Sequence, residues 1–125
     1  AAAGKLRATM RVKRIVSNIA VSDMAAVRFF YEALLGLDPA MDLGWIATLT
    51  SDETMRTQVS LMTEGGSGTP VPALSIEVDD VDKAHKRMRE AGVTIEYGPV
   101  DEPWGVRRFY VRDPMGTLIN ILAHR

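Results

Sequence analysis

Short apolar runs broken by Gly, Pro and Asp mark most of the chain as strand, and two stretches carry helical spacing. Residues 11 to 21, Arg-Val-Lys-Arg-Ile-Val-Ser-Asn-Ile-Ala-Val, are rich in Val and Ile and read as a strand ending at Ser22-Asp23, either of which can cap a helix. Val27, Phe30, Tyr31 and Leu34 follow at i, i+3, i+4 and i+7, an apolar stripe that Gly36 stops. After Pro39, Trp45 to Thr50 and Thr57 to Thr63 read as strands with Asp52 in their turn, and a further short strand fits near Asp38 to Leu43. Glu64-Gly65-Gly66-Ser67-Gly68-Thr69-Pro70-Val71-Pro72 has the composition of a flexible connector. Beyond it, Ala73 to Val78 reads as a strand and Asp79-Asp80 as a cap. Val81, Ala84, Met88 and Ala91 form a second helical stripe stopped by Gly92, and a strand is expected near Val93 to Tyr97.

The best-specified element is the hairpin that follows. Two runs, Pro103 to Arg112 and Thr117 to Leu122, flank Asp113-Pro114-Met115-Gly116, in which Pro presets φ and Gly tolerates positive φ. Period-two alternation places Leu118, Asn120, Leu122 and His124 on one face of the last strand and Ile119, Ile121 and Ala123 on the other. An amide amid aliphatics suits a half-polar pocket wall.

The two halves rhyme. Val21-Ser22-Asp23-Met24 before one helix answers Val78-Asp79-Asp80-Val81 before the other, displaced by 57 residues, and each helix ends at a glycine. One supersecondary unit used twice explains this. The expected fold class is α+β: two βαβββ modules forming a curved mixed sheet around a concave cleft, helices outside, since neither module has strands enough to bury its own helix and sheet face. Residues 1 to 9 are set aside as an appended or disordered tail, 10–64 as the first module, 65–72 as the linker and 73–125 as the second module.

Composition narrows the function. With 46% hydrophobic and 25% charged residues in 125, the chain has the make-up of a globular domain able to bury a core. A formal charge of -1 supplies no positive field to gather nucleic acid or an anionic membrane. No apolar run approaches the roughly 18 residues of a membrane span. The absence of cysteine removes disulfides, thiol nucleophiles and cysteine-held zinc, and makes the cytoplasm the default location.

With β-α-β-β-(β) written twice, Val-[Ser/Asp]-Asp before each helix, Phe30-Tyr31 in the first helix and Arg112-Asp113-Pro114-Met115-Gly116-Thr117-Leu118-Ile119-Asn120 at the end, the chain resembles the vicinal oxygen chelate superfamily. That group includes glyoxalase I, the bleomycin-resistance proteins and the extradiol dioxygenases. Its metal-using members hold a divalent ion with His and Glu at positions that correspond here to Val16 (Ser17 if the register slips), Ser60, Ala73 and Asn120. None is a useful ligand for a catalytic cation. The resemblance therefore implies the metal-free branch: no metal and no cofactor, a small planar or amphipathic ligand in the cleft, and a homodimer. The alternatives are a lyase, isomerase or dioxygenase-type enzyme of the same superfamily with a displaced or absent metal site, and a structural or regulatory subunit without a ligand.

The candidate ligand-binding residues are Asn120, Trp45, Trp104, Tyr110, Arg108 and Ser60. Asn120 either hydrogen-bonds a bound carbonyl or amine, or is a buried amide satisfied by backbone. Trp45 and Trp104 either stack on a flat ligand or pack in the core or a dimer contact. Arg108, Tyr110 and Arg112 share a strand face, where an inward arginine would grip a carboxylate or phosphate and an outward one is solvated. Glu77 is a cleft carboxylate or a surface group at a strand end. His85, among Lys83, Lys86, Arg87 and Arg89, is expected in solvent, and His124, near the chain end, is expected to fray.

Overall fold

The computed structural model describes residues 10–34, 36–51 and 58–125, without the side chain of Phe30; the tail, the Asp52 turn, Thr57 and the Phe30 member of the first stripe lie outside the described residues. The elements are β1 (Val12–Ala20), α1 (Met24–Arg28) running into a π-helical segment (Phe29–Leu34), β2 (Asp38–Asp42), β3 (Ile46–Thr50), β4 (Gln58–Met62), β5 (Leu74–Val78), α2 (Val81–Glu90), β6 (Tyr97–Glu102), β7 (Val106–Arg112) and β8 (Leu118–His124). The β1–β4 and β5–β8 pairs are parallel and the β2–β3, β3–β4, β6–β7 and β7–β8 pairs antiparallel, so the fold is α+β with mixed pairing, as expected.

The described residues form two compact units, one within Val16–Val71 and one of Pro72–Arg125 with residues 10–15. In the first the strands run in the order β2-β3-β4-β1, and in the second β5-β8-β7-β6. Each unit thus pairs its opening strand in parallel with its closing one. The helix entries match as well: Asp23 accepts a hydrogen bond from the Ala26 amide at 3.1 Å and Asp80 from the Lys83 amide at 3.0 Å, both from extended backbone. Such a cap satisfies an amide the helix cannot, and its loss to Ala costs about 1 kcal/mol.

In the second unit the core lies between α2 and one sheet face. Val78, Val81, Ala84, Phe109, Val111, Ile119 and Ile121 are buried together, with Leu74, Ile76 and Met88 packed against them. Strand pleating then turns Ser75, Glu77, Arg108, Tyr110, Leu118, Asn120 and Leu122 away from α2. The hairpin closes as read. The Asp113 carboxylate accepts from the Met115 and Thr117 amides, both at 2.9 Å, the Gly116 amide donates to the Asp113 carbonyl, and Gly116 sits at φ +85.

Three local expectations change. The first stripe is not a buried face, because Leu34 is 61% exposed: a π turn spreads more residues over each turn and moves i, i+3, i+4 neighbours off one line. The glycine-rich connector is a bonded turn, in which the Gly65 amide donates to the Thr69 carbonyl at 2.7 Å, the Gly68 amide to the Glu64 carboxylate at 2.9 Å, and Gly65 and Gly66 are buried. Backbone groups supply the order that its side chains cannot.

The strand expected at Val93 to Tyr97 forms instead at Tyr97–Glu102, while Val93 and Ile95 pack on the α2 core. Gly98-Pro99 argues against a strand in the sequence, yet β6 is the edge strand of its unit and its register shifts between Tyr97 and Val100. Gly98 has φ +78, and a Cβ there would stand 2.4 Å from the Arg108 carbonyl oxygen. Gly98→Ala is therefore expected to lower unfolding stability by at least about 2 kcal/mol, read by urea denaturation; an unchanged midpoint would contradict this packing.

Candidate functional site

On the face of the second unit turned away from α2, strand register sets one row of side chains across four strands. Ser75 pairs with Asn120, Asn120 with Tyr110, and Tyr110 with Tyr97. Beside this row lies Arg108, opposite Leu122 on β8.

Arg108 is 2% exposed. Its Nε donates to Glu102 Oε2 at 2.7 Å and its Nη1 to the Tyr110 hydroxyl at 3.0 Å, while the Tyr97 hydroxyl donates to the same Glu102 oxygen at 2.9 Å. The rings of Tyr97, Trp104 and Tyr110 stand around the guanidinium, with centroids 5.3, 5.0 and 5.0 Å from its central carbon. A buried guanidinium left alone would cost several kcal/mol; a carboxylate in hydrogen-bond contact and three ring faces offset that cost. Arg108 is thus the inward arginine of the two readings, but its partner is Glu102. The outward reading holds for Arg112, which is exposed and bonded to Glu96 at 2.8 Å and to the Gly116 carbonyl at 2.9 Å. Sequence reasoning missed Glu102 and Tyr97, which lie on the strand whose alternation Gly98-Pro99 interrupts.

Asn120 is 7% exposed, and its Nδ2 donates to the Ser75 hydroxyl at 3.2 Å. Its Oδ1 is shielded and has no hydrogen-bond partner among the described residues. Backbone therefore does not satisfy this amide, contrary to one of the two readings. An unpaired buried acceptor costs about 1–3 kcal/mol.

Four of the six candidates, Asn120, Tyr110, Arg108 and Trp104, come together in this unit, Trp104 from the β6–β7 turn and half-buried. Trp45 and Ser60 belong to the other unit. There Ser60 is 3% exposed with its hydroxyl 2.7 Å from that of Thr48, and Asn18 is its register partner on β1. Trp45 is half-buried, and its carbonyl accepts the Thr63 amide at 2.9 Å. The 57-residue displacement carries Asn18 onto Ser75, so each unit sets an Asn beside a Ser, a signal present in the sequence but not used.

Glu77 is not a surface group, its side chain being 12% exposed. Its Oε2 meets His124 Nδ1 at 2.9 Å and Lys13 Nζ at 3.7 Å, and its Oε1 meets Arg14 Nε at 3.1 Å. Burial pushes the Glu77 carboxyl up, and the His124 hydrogen bond with the charges of His124, Arg14 and Lys13 outweighs it, leaving the group below the usual carboxylate range. His124 does not fray: it is the last residue of β8, and the next amide, that of Arg125, donates to the Gly105 carbonyl at 2.9 Å. His85 is half-buried rather than in solvent, its ring edge-on to Phe109 at 5.3 Å. Two depressions of about 340 Å³ lie elsewhere on the surface. One is lined by His85, Lys86, Arg89 and Glu90, the other by Val93, Thr94, Glu96, Arg112, Asp113 and Pro114, and neither contains any of the six candidate ligand-binding residues.

The positions that the resemblance assigns to a metal do not fit one. Val16 is a buried aliphatic and Ala73 an exposed methyl, neither with a donor; Ser17 is exposed, the Ser60 hydroxyl is engaged by Thr48, and Asn120 offers a neutral amide. Among the described residues no three His, Cys, Asp or Glu side chains gather where an ion could be held, and no helix is long and apolar enough to cross a membrane.

Residues 11–121 match the model of the Glyoxalase/Bleomycin resistance protein/Dioxygenase superfamily. No curated protein matches the chain. Among solved structures, an NAD-dependent benzaldehyde dehydrogenase from Legionella pneumophila aligns with TM-score 0.72 at 19% identity over 90% of this chain and 100% of that one. A glyoxalase/bleomycin resistance protein/dioxygenase superfamily member from Vibrio splendidus 12B01 gives 0.63 at 18% over 92% and 100%. A methylmalonyl-CoA epimerase from Mycobacterium tuberculosis gives 0.61 at 16% over 91% and 87%. At these identities the likeness is one of fold.

Two outcomes follow from the charged groups. Arg108→Met strands Glu102 in a buried site and is expected to cost about 3–5 kcal/mol in urea unfolding, with part recovered in the double variant carrying Glu102→Gln as well; equal losses in both would contradict the pairing. For Glu77, a lowered carboxyl value means stability present above its unfolded value of about 4.3 and lost as pH falls through the folded one. Glu77→Gln should lower Tm at neutral pH and flatten the fall in Tm below about pH 4.3, and parallel Tm–pH profiles would refute the cluster's role.

Proposed function

The chain belongs to the glyoxalase/bleomycin resistance protein/dioxygenase superfamily, and on that premise we propose that it is a small-molecule binding protein that takes a planar, amphipathic ligand on the Asn120 face of its second unit, without a protein-held metal ion. The observation that carries the reading is the Asn120 Oδ1, a shielded acceptor with no hydrogen-bond partner among the described residues, in a row with Ser75, Tyr110 and Tyr97. Folding leaves such an atom unpaired at a cost, and a ligand that supplies the missing donor recovers it.

The rest of the face supports a flat partner. Leu118 and Leu122 flank Asn120 along β8 and offer apolar contact, and the half-buried Trp104 offers an indole for stacking. The Arg108–Glu102 pair holds Tyr110 and Trp104 in place, so the rings are set before a ligand arrives and little ordering cost remains. Sequestration needs no bond-making, and the metal positions, lacking donors, agree with it. The reading includes a cytoplasmic location, which a cysteine-free chain accommodates, and pairing with a second copy.

Calorimetric titration with bicyclic arenes in the presence of EDTA tests it. The expected result is saturable binding of one molecule per chain without product, weakened about five- to tenfold by Trp104→Ala and unchanged by Trp45→Phe. Conversion of a compound only when a divalent cation is added, abolished by chelator, would replace this reading with that of a metal enzyme.

A further inference from the structure

We infer that the ligand of this face is an uncharged arene with an N–H donor on its edge, and that molecules bearing a carboxylate or phosphate are turned away; the inference rests on the binding reading above and specifies its chemistry. The guanidinium best placed to attract an anion is neutralised within the fold. Arg108 Nε is committed to Glu102 at 2.7 Å and Nη1 to Tyr110 at 3.0 Å, and Tyr97, Trp104 and Tyr110 surround its planar group. An anion arriving here would compete with a carboxylate already in contact and already desolvated, with Glu102 3% and Arg108 2% exposed at the side chain.

The neighbours do not change the balance. Ser75, Tyr110, Leu118 and Leu122 are uncharged, and Glu77, on the same rung as Leu122 and Arg108, engages the other cations nearby, Lys13, Arg14 and His124. A charged ligand would shed its water near Asn120 without a counter-ion. A neutral ring loses little on entering, and its N–H meets Asn120 Oδ1, which has no partner among the described residues. That oxygen is recessed, so a donor on the thin edge of a flat molecule suits it better than one on a branched substituent.

Titration of the full chain with indole, 1-methylindole and indole-3-carboxylate tests this. Indole is expected to bind, 1-methylindole at least about fivefold more weakly because its nitrogen no longer donates, and indole-3-carboxylate more weakly still. Asn120→Leu should bind indole and 1-methylindole alike. Asn120→Asp, which keeps an acceptor, should retain the preference, so the conclusion survives if the leucine variant does not fold. Equal affinity for indole and 1-methylindole in the unaltered chain would overturn the donor inference while leaving the binding reading intact, as when a water already satisfies Asn120. Tighter binding of indole-3-carboxylate would overturn the charge argument. Binding of none of the three would overturn both this inference and the proposal on which it rests.

Discussion

The guanidinium of Arg108 cannot be left in the interior on its own, and the second unit is arranged around that fact. Its charge is answered by Glu102 from the edge strand, its donors reach Glu102 and Tyr110, and three aromatic rings occupy its surroundings. Removing either partner exposes the other to the full penalty of burial, so the pair fixes where β6 lies against β7. The register of β6 on β7 shifts between Tyr97 and Val100, where Gly98 lies against the Arg108 backbone carbonyl.

With the cation neutralised, the binding proposed for this face rests on other groups. In that proposal Asn120, whose Nδ2 is engaged by Ser75, brings an Oδ1 acceptor that has no hydrogen-bond partner among the described residues. On the opposite side of the same strands, Phe109, Val111, Ile119 and Ile121 pack beneath α2. Alternation along two strands therefore separates the residues packed beneath α2 from those of the Asn120 face. Membership of the superfamily supplies the scaffold, and a scaffold by itself does not name a ligand.

What was legible in the sequence was mostly local. Asp23 and Asp80 cap helices because a carboxylate can bond an amide three residues on, and the Asp113–Thr117 hairpin forms because every interaction closing it lies within five residues. Period two put Arg108 with Tyr110, and Asn120 with Leu122, on common faces. Which face was turned from α2 depended on where that helix packs, and no window of sequence contains that information. Glu102 and Tyr97 were hidden by a glycine-proline break that reads as a loop when seen alone and becomes a bulged edge strand against β7. The surroundings of Glu77 come from β1 and β8, far apart in the chain, and the π turn after α1 changes a period that the apolar stripe had fitted well.

The central claim is that Arg108 is held inside the fold by Glu102 and by the rings, and is not offered to ligands. Nitrogen-15 NMR of the Arg108 guanidinium measures this directly. The account predicts an Nε–H resonance protected from solvent exchange near neutral pH, slow rotation about the Nε–Cζ bond, and no shift when benzoate or phosphate is added. Rapid exchange, or a resonance that titrates with either anion, would show a guanidinium open to solvent and contradict the account.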